Sequence, residues 1–159
     1  WVTAWVAITD SNEHNGCMRM WSGSHKDNLK DHDQMFNEGN LLTRGQTVKN
    51  VPIKKTTPLI LEAGQMSLHH PTVVHGSDLN KSNDRRIGFV IQSYIGTNVK
   101  QVLGKNGVQL ARGSDNYNFH EKISRPKSLM DKNDLKIKKK ENDNLQEIFY
   151  KGSSKKGNY

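Results

Sequence analysis

Leu68-His69-His70-Pro71-Thr72-Val73-Val74-His75-Gly76-Ser77, followed after a short gap by Asp84-Arg85-Arg86-Ile87-Gly88-Phe89, is the stretch on which the reading of this chain turns. Gln65 to His70 reads as a β-strand that Pro71 ends, because proline brings no amide proton to a ladder. Val73-Val74-His75 is short and extended. From Arg86 to Ile95 the side chains alternate, with Ile87, Phe89, Ile91 and Ser93 on one face and Val90 and Tyr94 on the other. Three of the seven histidines lie between positions 69 and 75. Imidazole suits zinc, copper, iron and nickel, and a glycine after His75 lets a bound group approach the backbone. Arg86 opens the next strand, and a connection of this length brings that strand back beside the first. A guanidinium inside a barrel needs a carboxylate, since an unpaired buried charge is very costly. The chain offers no obvious partner, whereas an incoming dicarboxylate would match the planar fork with two hydrogen bonds.

Working outward, Trp1-Val2-Thr3-Ala4-Trp5-Val6-Ala7-Ile8-Thr9 is nearly continuous in strand-forming residues, as a buried strand would be. Asp10 to Gly16 is a turn cluster. Cys17 to Trp21 alternates around Arg19 and reads as a second strand, stopped by Ser22-Gly23-Ser24. Residues 25–57 are polar and irregular, with a short helix expected near Gln34 to Asn37. A connection of this length suggests a functional lid. Pro58-Leu59-Ile60-Leu61 reads as a strand and Glu62-Ala63-Gly64 as a turn. Short strands separated by turn signals predict a mainly all-β sandwich or barrel. No internal repeat is visible.

The chain has 159 residues, a formal net charge of +8 and 33% hydrophobic residues. That length fits one domain with a thin core. No apolar run is long enough for a membrane span. A single cysteine, Cys17, excludes an internal disulfide framework and favours a reducing, cytoplasmic compartment. Residues 1–124 hold 14 Lys and Arg against 11 Asp and Glu, and residues 125–159 hold 10 against 5. The charge excess is therefore concentrated in a C-terminal basic segment, expected to be a partly disordered tail with a short helix from about Asp143 to Tyr150. Its Lys136-Ile137-Lys138-Lys139-Lys140 run would suit nucleic acid. No aromatic platform accompanies the lysines, so a plain solvated tail is the preferred reading. A chain that opens on Trp1 inside a strand pattern reads as a piece of a longer protein.

His75-Gly76-Ser77 through Arg85-Arg86-Ile87-Gly88 resembles the distal-histidine and arginine segment of the phytanoyl-CoA dioxygenase family, Fe(II)- and 2-oxoglutarate-dependent oxygenases on a double-stranded β-helix. Thr3-Ala4-Trp5-Val6-Ala7-Ile8-Thr9 resembles the strand that follows that family's first metal motif. Asn15-Gly16-Cys17-Met18-Arg19 with Gly23-Ser24-His25-Lys26 resembles its next conserved stretch, although Trp21-Ser22 stands where the family carries a proline before the glycine. The resemblance covers residues 1–100 and implies a jelly-roll, cupin-like barrel over 1–124, incomplete at its N-terminus, followed by the basic tail 125–159.

The resemblance also implies roles. His75 would be the second histidine of a two-histidine, one-carboxylate iron site. Arg86 and Ser77 would bind the distal carboxylate of 2-oxoglutarate, and Trp5 would line that pocket. Arg85 would face outward, being next to Arg86 on a strand. His69 and His70 are expected to pack or support. The family's first His-x-Asp lies upstream of this sequence. His25-Lys26-Asp27 imitates the motif one strand too late, His32-Asp33 has the wrong spacing, and Cys17 reads as a strand residue. The implied reaction is hydroxylation of a small organic or lipid-like substrate by O2, coupled to decarboxylation of 2-oxoglutarate to succinate. The piece alone is expected to be inactive, since it holds one metal ligand of three. The alternatives are a halogenase of the same fold, a cupin-like binding module without iron, and a nucleic-acid-binding protein acting through its tail.

Overall fold

The computed structural model describes residues 1–27, 29–36, 42 and 45–152. The elements in chain order are β1 (Val2–Ala7), β2 (Met18–Trp21), β3 (His32–Gln34), β4 (Gln46–Val48), β5 (Thr56–Pro58), β6 (Met66–His69), β7 (His75–Ser77), β8 (Gly88–Tyr94) and α1 (Lys132–Phe149). Tight 3₁₀ turns cover Ser24–Lys26 and Ile53–Lys55. The described chain is therefore mainly β with one C-terminal helix, as its turn-punctuated strand patterns require. Its contacts divide it into two units, Trp1–Met35 with Gly45–Ile95, and Phe36–Arg44 with Gly96–Tyr159.

The first unit contains three small antiparallel sheets, ordered β6-β1-β8, β5-β2-β7 and β3-β4. β1 is central in the first, and Ala4, Trp5 and Ala7 within its apolar run are buried. Trp5 stands opposite Ser67 and Val90, and Thr3 opposite His69. Those residues share one face of the sheet, because residues directly opposite in an antiparallel pair point the same way. In the second sheet Met20 pairs with His75 and Met18 with Ser77. Ala4, Trp5, Ala7 and Cys17 are the buried apolar residues of this unit. The polar turn before β2 is closed reciprocally. Asn12 Oδ1 accepts from the amides of His14 and Asn15, while Asn15 Oδ1 accepts from the Asn12 amide at 2.8 Å. Gly16, at φ 74°, lies so close to the carbonyl of Asp78 that a Cβ would collide with it.

Three local expectations change. The connection 25–57 carries the β3–β4 pair, with His32 opposite Val48 and Gln34 opposite Gln46. Gln34 thus ends a strand where a short helix was expected, and Asn37 lies outside the described residues. The strand expected at Pro58-Leu59-Ile60-Leu61 instead pairs over Thr56–Pro58, starting two residues earlier. Pro58 is tolerated there because β5 is an edge strand. Leu61 makes only an isolated bridge to Ser11.

The third change concerns the basic segment, which holds an 18-residue helix beginning at Lys132 rather than near Asp143. Asp131 caps it, its carboxylate accepting from the amides of Asn133 at 2.9 Å and Asp134 at 3.1 Å. This is the acceptor geometry that helix starts require. Within the second unit the half-buried positions of α1 include Asp134, Ile137, Glu141, Asn144, Leu145 and Ile148, one helical face. Three of those residues are polar and bind loop backbone. Asp134 accepts from the Lys127 amide at 2.7 Å, Glu141 accepts from the Gly107 amide at 2.7 Å, and Asn144 donates to the Lys105 carbonyl at 2.7 Å. Among the described residues no helix is long and apolar enough to cross a membrane.

Candidate active site

The two three-stranded sheets approach each other at five residues. The guanidinium of Arg86 donates from Nη2 to Ser77 Oγ at 3.2 Å and lies 5.7 Å from the centre of the Trp5 ring. The rings of His69 and His75 are 5.6 Å apart. Trp5 and His69 come from the first sheet, His75 and Ser77 from the second, and Arg86 precedes β8. Residues scattered over more than eighty positions of sequence thus come together in space, with Arg86 half-buried and His75 and Ser77 exposed.

Each is held by identifiable chemistry. Thr9 brackets Arg86: its hydroxyl donates to the Arg85 carbonyl and accepts from the Ile87 amide, both at 2.9 Å. The two peptide groups flanking Arg86 are therefore tied to the end of β1. Trp5, only 6% exposed, packs so close to Gly88 that any Cβ there would collide with the indole ring. Glycine at 88 is thus a steric requirement of the Trp5 shelf under Arg86. His75 points its Nδ1 at the Val73 carbonyl, 2.8 Å away. A carbonyl only accepts, so Nδ1 is the donor, and in the neutral ring Nε2 then keeps its lone pair.

The neighbouring histidines differ. Burial pushes the pKa of His69 below its ordinary value, and the adjacent His75 adds to the shift. His69 is thus favoured as a neutral imidazole. His70 is engaged in its own turn. Its Nδ1 accepts from the Thr72 amide at 3.3 Å and lies 2.8 Å from the Thr72 hydroxyl. His25 stacks near it, with ring centres 5.6 Å apart. Arg85 lines a cleft with Thr9, Asp10, Asn12, Asn15 and Asp84. Cys17 is buried, and burial followed by the charge of Glu13 raises its thiol pKa, which keeps it protonated.

Chemically, the Arg86–Ser77 pair beside the Trp5 ring is suited to a carboxylate, with a planar donor fork and a hydroxyl. His75 presents one lone pair in the manner of a metal ligand whose other nitrogen is oriented by a backbone carbonyl. It fits a metal as a single ligand. Among the described residues no group of three His, Cys, Asp or Glu is gathered that could hold one. Sequence reading singled out Trp5, His75, Ser77 and Arg86, but gave no role to Thr9 or Gly88. Their contributions run through backbone contacts that no side-chain motif announces, although the glycine within the Arg85–Gly88 motif was a signal for a close approach.

The sequence profile of the phytanoyl-CoA dioxygenase (PhyH) family matches residues 1–88. The chain belongs to that family. It is 30% identical over 107 residues to the peroxisomal phytanoyl-CoA dioxygenase of Mus musculus, covering 67% of this chain and 31% of that protein. It is 33% identical over 86 residues to the Homo sapiens enzyme, covering 54% and 25%. Among solved structures, the apo form of the non-heme monooxygenase ThoJ matches with a TM-score of 0.77 at 29% identity, over 94% of this chain and 53% of that one. The chain thus spans a quarter to a third of the length of these curated relatives and about half of ThoJ.

Proposed function

We propose that this chain carries the 2-oxoglutarate anchor and one metal-ligating histidine of an Fe(II)- and 2-oxoglutarate-dependent dioxygenase, built on a double-stranded β-helix, that hydroxylates a small organic or lipid-like substrate. The observation that carries the reading is Arg86, tied through both neighbouring peptides by Thr9, bonded to Ser77 and stacked over Trp5. Such a guanidinium is preorganised for a carboxylate before any ligand arrives, which lowers the entropic cost of binding. Arg86 and Ser77 would hold the distal carboxylate of 2-oxoglutarate, and Trp5 would wall that end of the pocket. His75 would offer Nε2 to iron. When bound, the iron supplies the activation of O2 that couples decarboxylation of 2-oxoglutarate to oxidation of a C–H bond. The basic segment from residue 125 onward takes no part in this chemistry.

The test is an anaerobic thermal shift of the full-length protein with Fe(II) and 2-oxoglutarate together. The ligands are expected to raise Tm, because anything that binds only the folded state stabilises it. His75→Ala and Arg86→Ala should each remove the rise. No rise in the unsubstituted protein would overturn the assignment.

A further inference from the structure

We propose that Ser24 is a positioning residue for His75, fixing the tautomer of that imidazole through a single peptide group. The importance of the result for catalysis rests on the reading of His75 given above, whereas the coupling itself does not. Ser24 is 1% exposed and opens the 3₁₀ turn Ser24–Lys26. The chain enters that turn through Gly23 at φ 80°, a left-handed conformation, with nothing within 4 Å of where a Cβ would sit. Glycine is needed there for its dihedral freedom, not for space.

From this position Ser24 Oγ accepts a hydrogen bond from the Val74 amide at 2.9 Å, fifty residues along the chain. The Val74 carbonyl in turn accepts from the Trp21 amide at 2.9 Å, continuing the β2–β7 ladder by one step. The Val74 amide belongs to the same peptide group as the Val73 carbonyl, the acceptor of the His75 Nδ1 proton at 2.8 Å. A peptide group is planar and turns as one body. Ser24 therefore grips the N–H end of the plate whose C=O end orients His75. Without the serine hydroxyl the plate is held at one end only, and Nδ1 loses its fixed acceptor. The imidazole is then free to place its proton on Nε2, the atom that must stay bare to act as a ligand. Ser24 also gives the Gly23-Ser24-His25-Lys26 turn a purpose that its histidine does not supply, since the His25 ring stacks on His70.

The experiment is long-range ¹H–¹⁵N NMR on the full chain with ¹⁵N-labelled histidine, at a pH where the imidazoles are neutral. In the unsubstituted chain His75 is expected as the Nδ1–H tautomer with a slowly exchanging Nδ1 proton. Ser24→Ala and Ser24→Cys should give a mixture of tautomers. Exchange of that proton should rise about tenfold, the ratio expected for one lost hydrogen bond. Ser24→Thr, which keeps the hydroxyl, should restore the Nδ1–H form. Cysteine nearly preserves the volume of serine, and protected amides at Ala4 and Trp5 report that the first sheet is intact. An unsubstituted His75 in the Nε2–H form would overturn the proposal without any variant. So would a folded Ser24→Cys chain whose His75 signals are unchanged. The Tm response to Fe(II) and 2-oxoglutarate reports separately on the oxygenase reading, so failure of one is not failure of the other.

Discussion

Gly88 shows how a residue without a side chain shapes this site. The Trp5 indole occupies the volume where its Cβ would be, and Arg86 lies over the indole. Gly88→Ala must displace the tryptophan or the strand. Overpacking of this kind costs about 1–3 kcal/mol. We expect a lower urea midpoint with an unchanged slope, together with a shifted Trp5 emission. Unchanged stability and emission would mean that the shelf does not depend on glycine. At this scale the sequence was informative about chemistry but not about support. Arg86, Ser77, His75 and Trp5 were legible because their side chains carry unusual functional groups in a recognisable order. Thr9 was hidden because its hydroxyl serves backbone groups of residues 85 and 87, more than seventy positions away. Such a contact exists only once β1 and β8 are paired.

Elements were legible where burial imposes a period and obscure where polar contacts replace it. β1 and β8 were recognised from apolar patterning, and both belong to the first sheet. α1 was recognised only over its last two turns, where Leu145, Ile148 and Phe149 give an apolar period. Its earlier inner face is made by Asp134 and Glu141, which satisfy loop amides and so read as solvent-facing in a sequence. The same logic governs the loop that leads into Glu121. Asp115 accepts from the amides of Tyr117 at 3.0 Å and Asn118 at 3.1 Å, and it pairs with Lys122 at 3.2 Å. The two backbone bonds, with Lys122 helping, hold its carboxyl below the usual carboxylate range. A depressed pKa in the folded state adds stability above the unfolded-state value, and this is lost as pH falls through the folded value. Asp115→Asn should therefore lower stability at neutral pH, and the difference from the unsubstituted chain should shrink below about pH 4. A difference that is constant with pH, measured by denaturant unfolding, would contradict this origin.

Across the whole molecule, the thin core expected from 33% hydrophobic residues is present. In the first unit it is confined to Ala4, Trp5, Ala7 and Cys17, while Met66, Leu68 and Phe89 on the opposite face of the first sheet are more than half exposed. The polar connection 25–57 contributes a two-stranded sheet rather than apolar surface, and the basic segment contributes a helix whose inner face is half polar. Family membership was readable from three motifs in order because each sits where two strands must meet. The metal site was not readable as a set, since His75 is the one metal ligand that the family resemblance places in this sequence. The central claim is that Arg86, Ser77 and Trp5 recognise the distal carboxylate of 2-oxoglutarate. It is tested most directly by NMR titration of the chain with 2-oxoglutarate and, separately, with 2-oxobutanoate, which lacks that carboxylate. The account predicts that 2-oxoglutarate alone shifts the Arg86 Nε–H and Trp5 indole signals, and that Arg86→Met abolishes the Trp5 response. Equal shifts with both acids, no shift with either, or a Trp5 response that survives in Arg86→Met would contradict it.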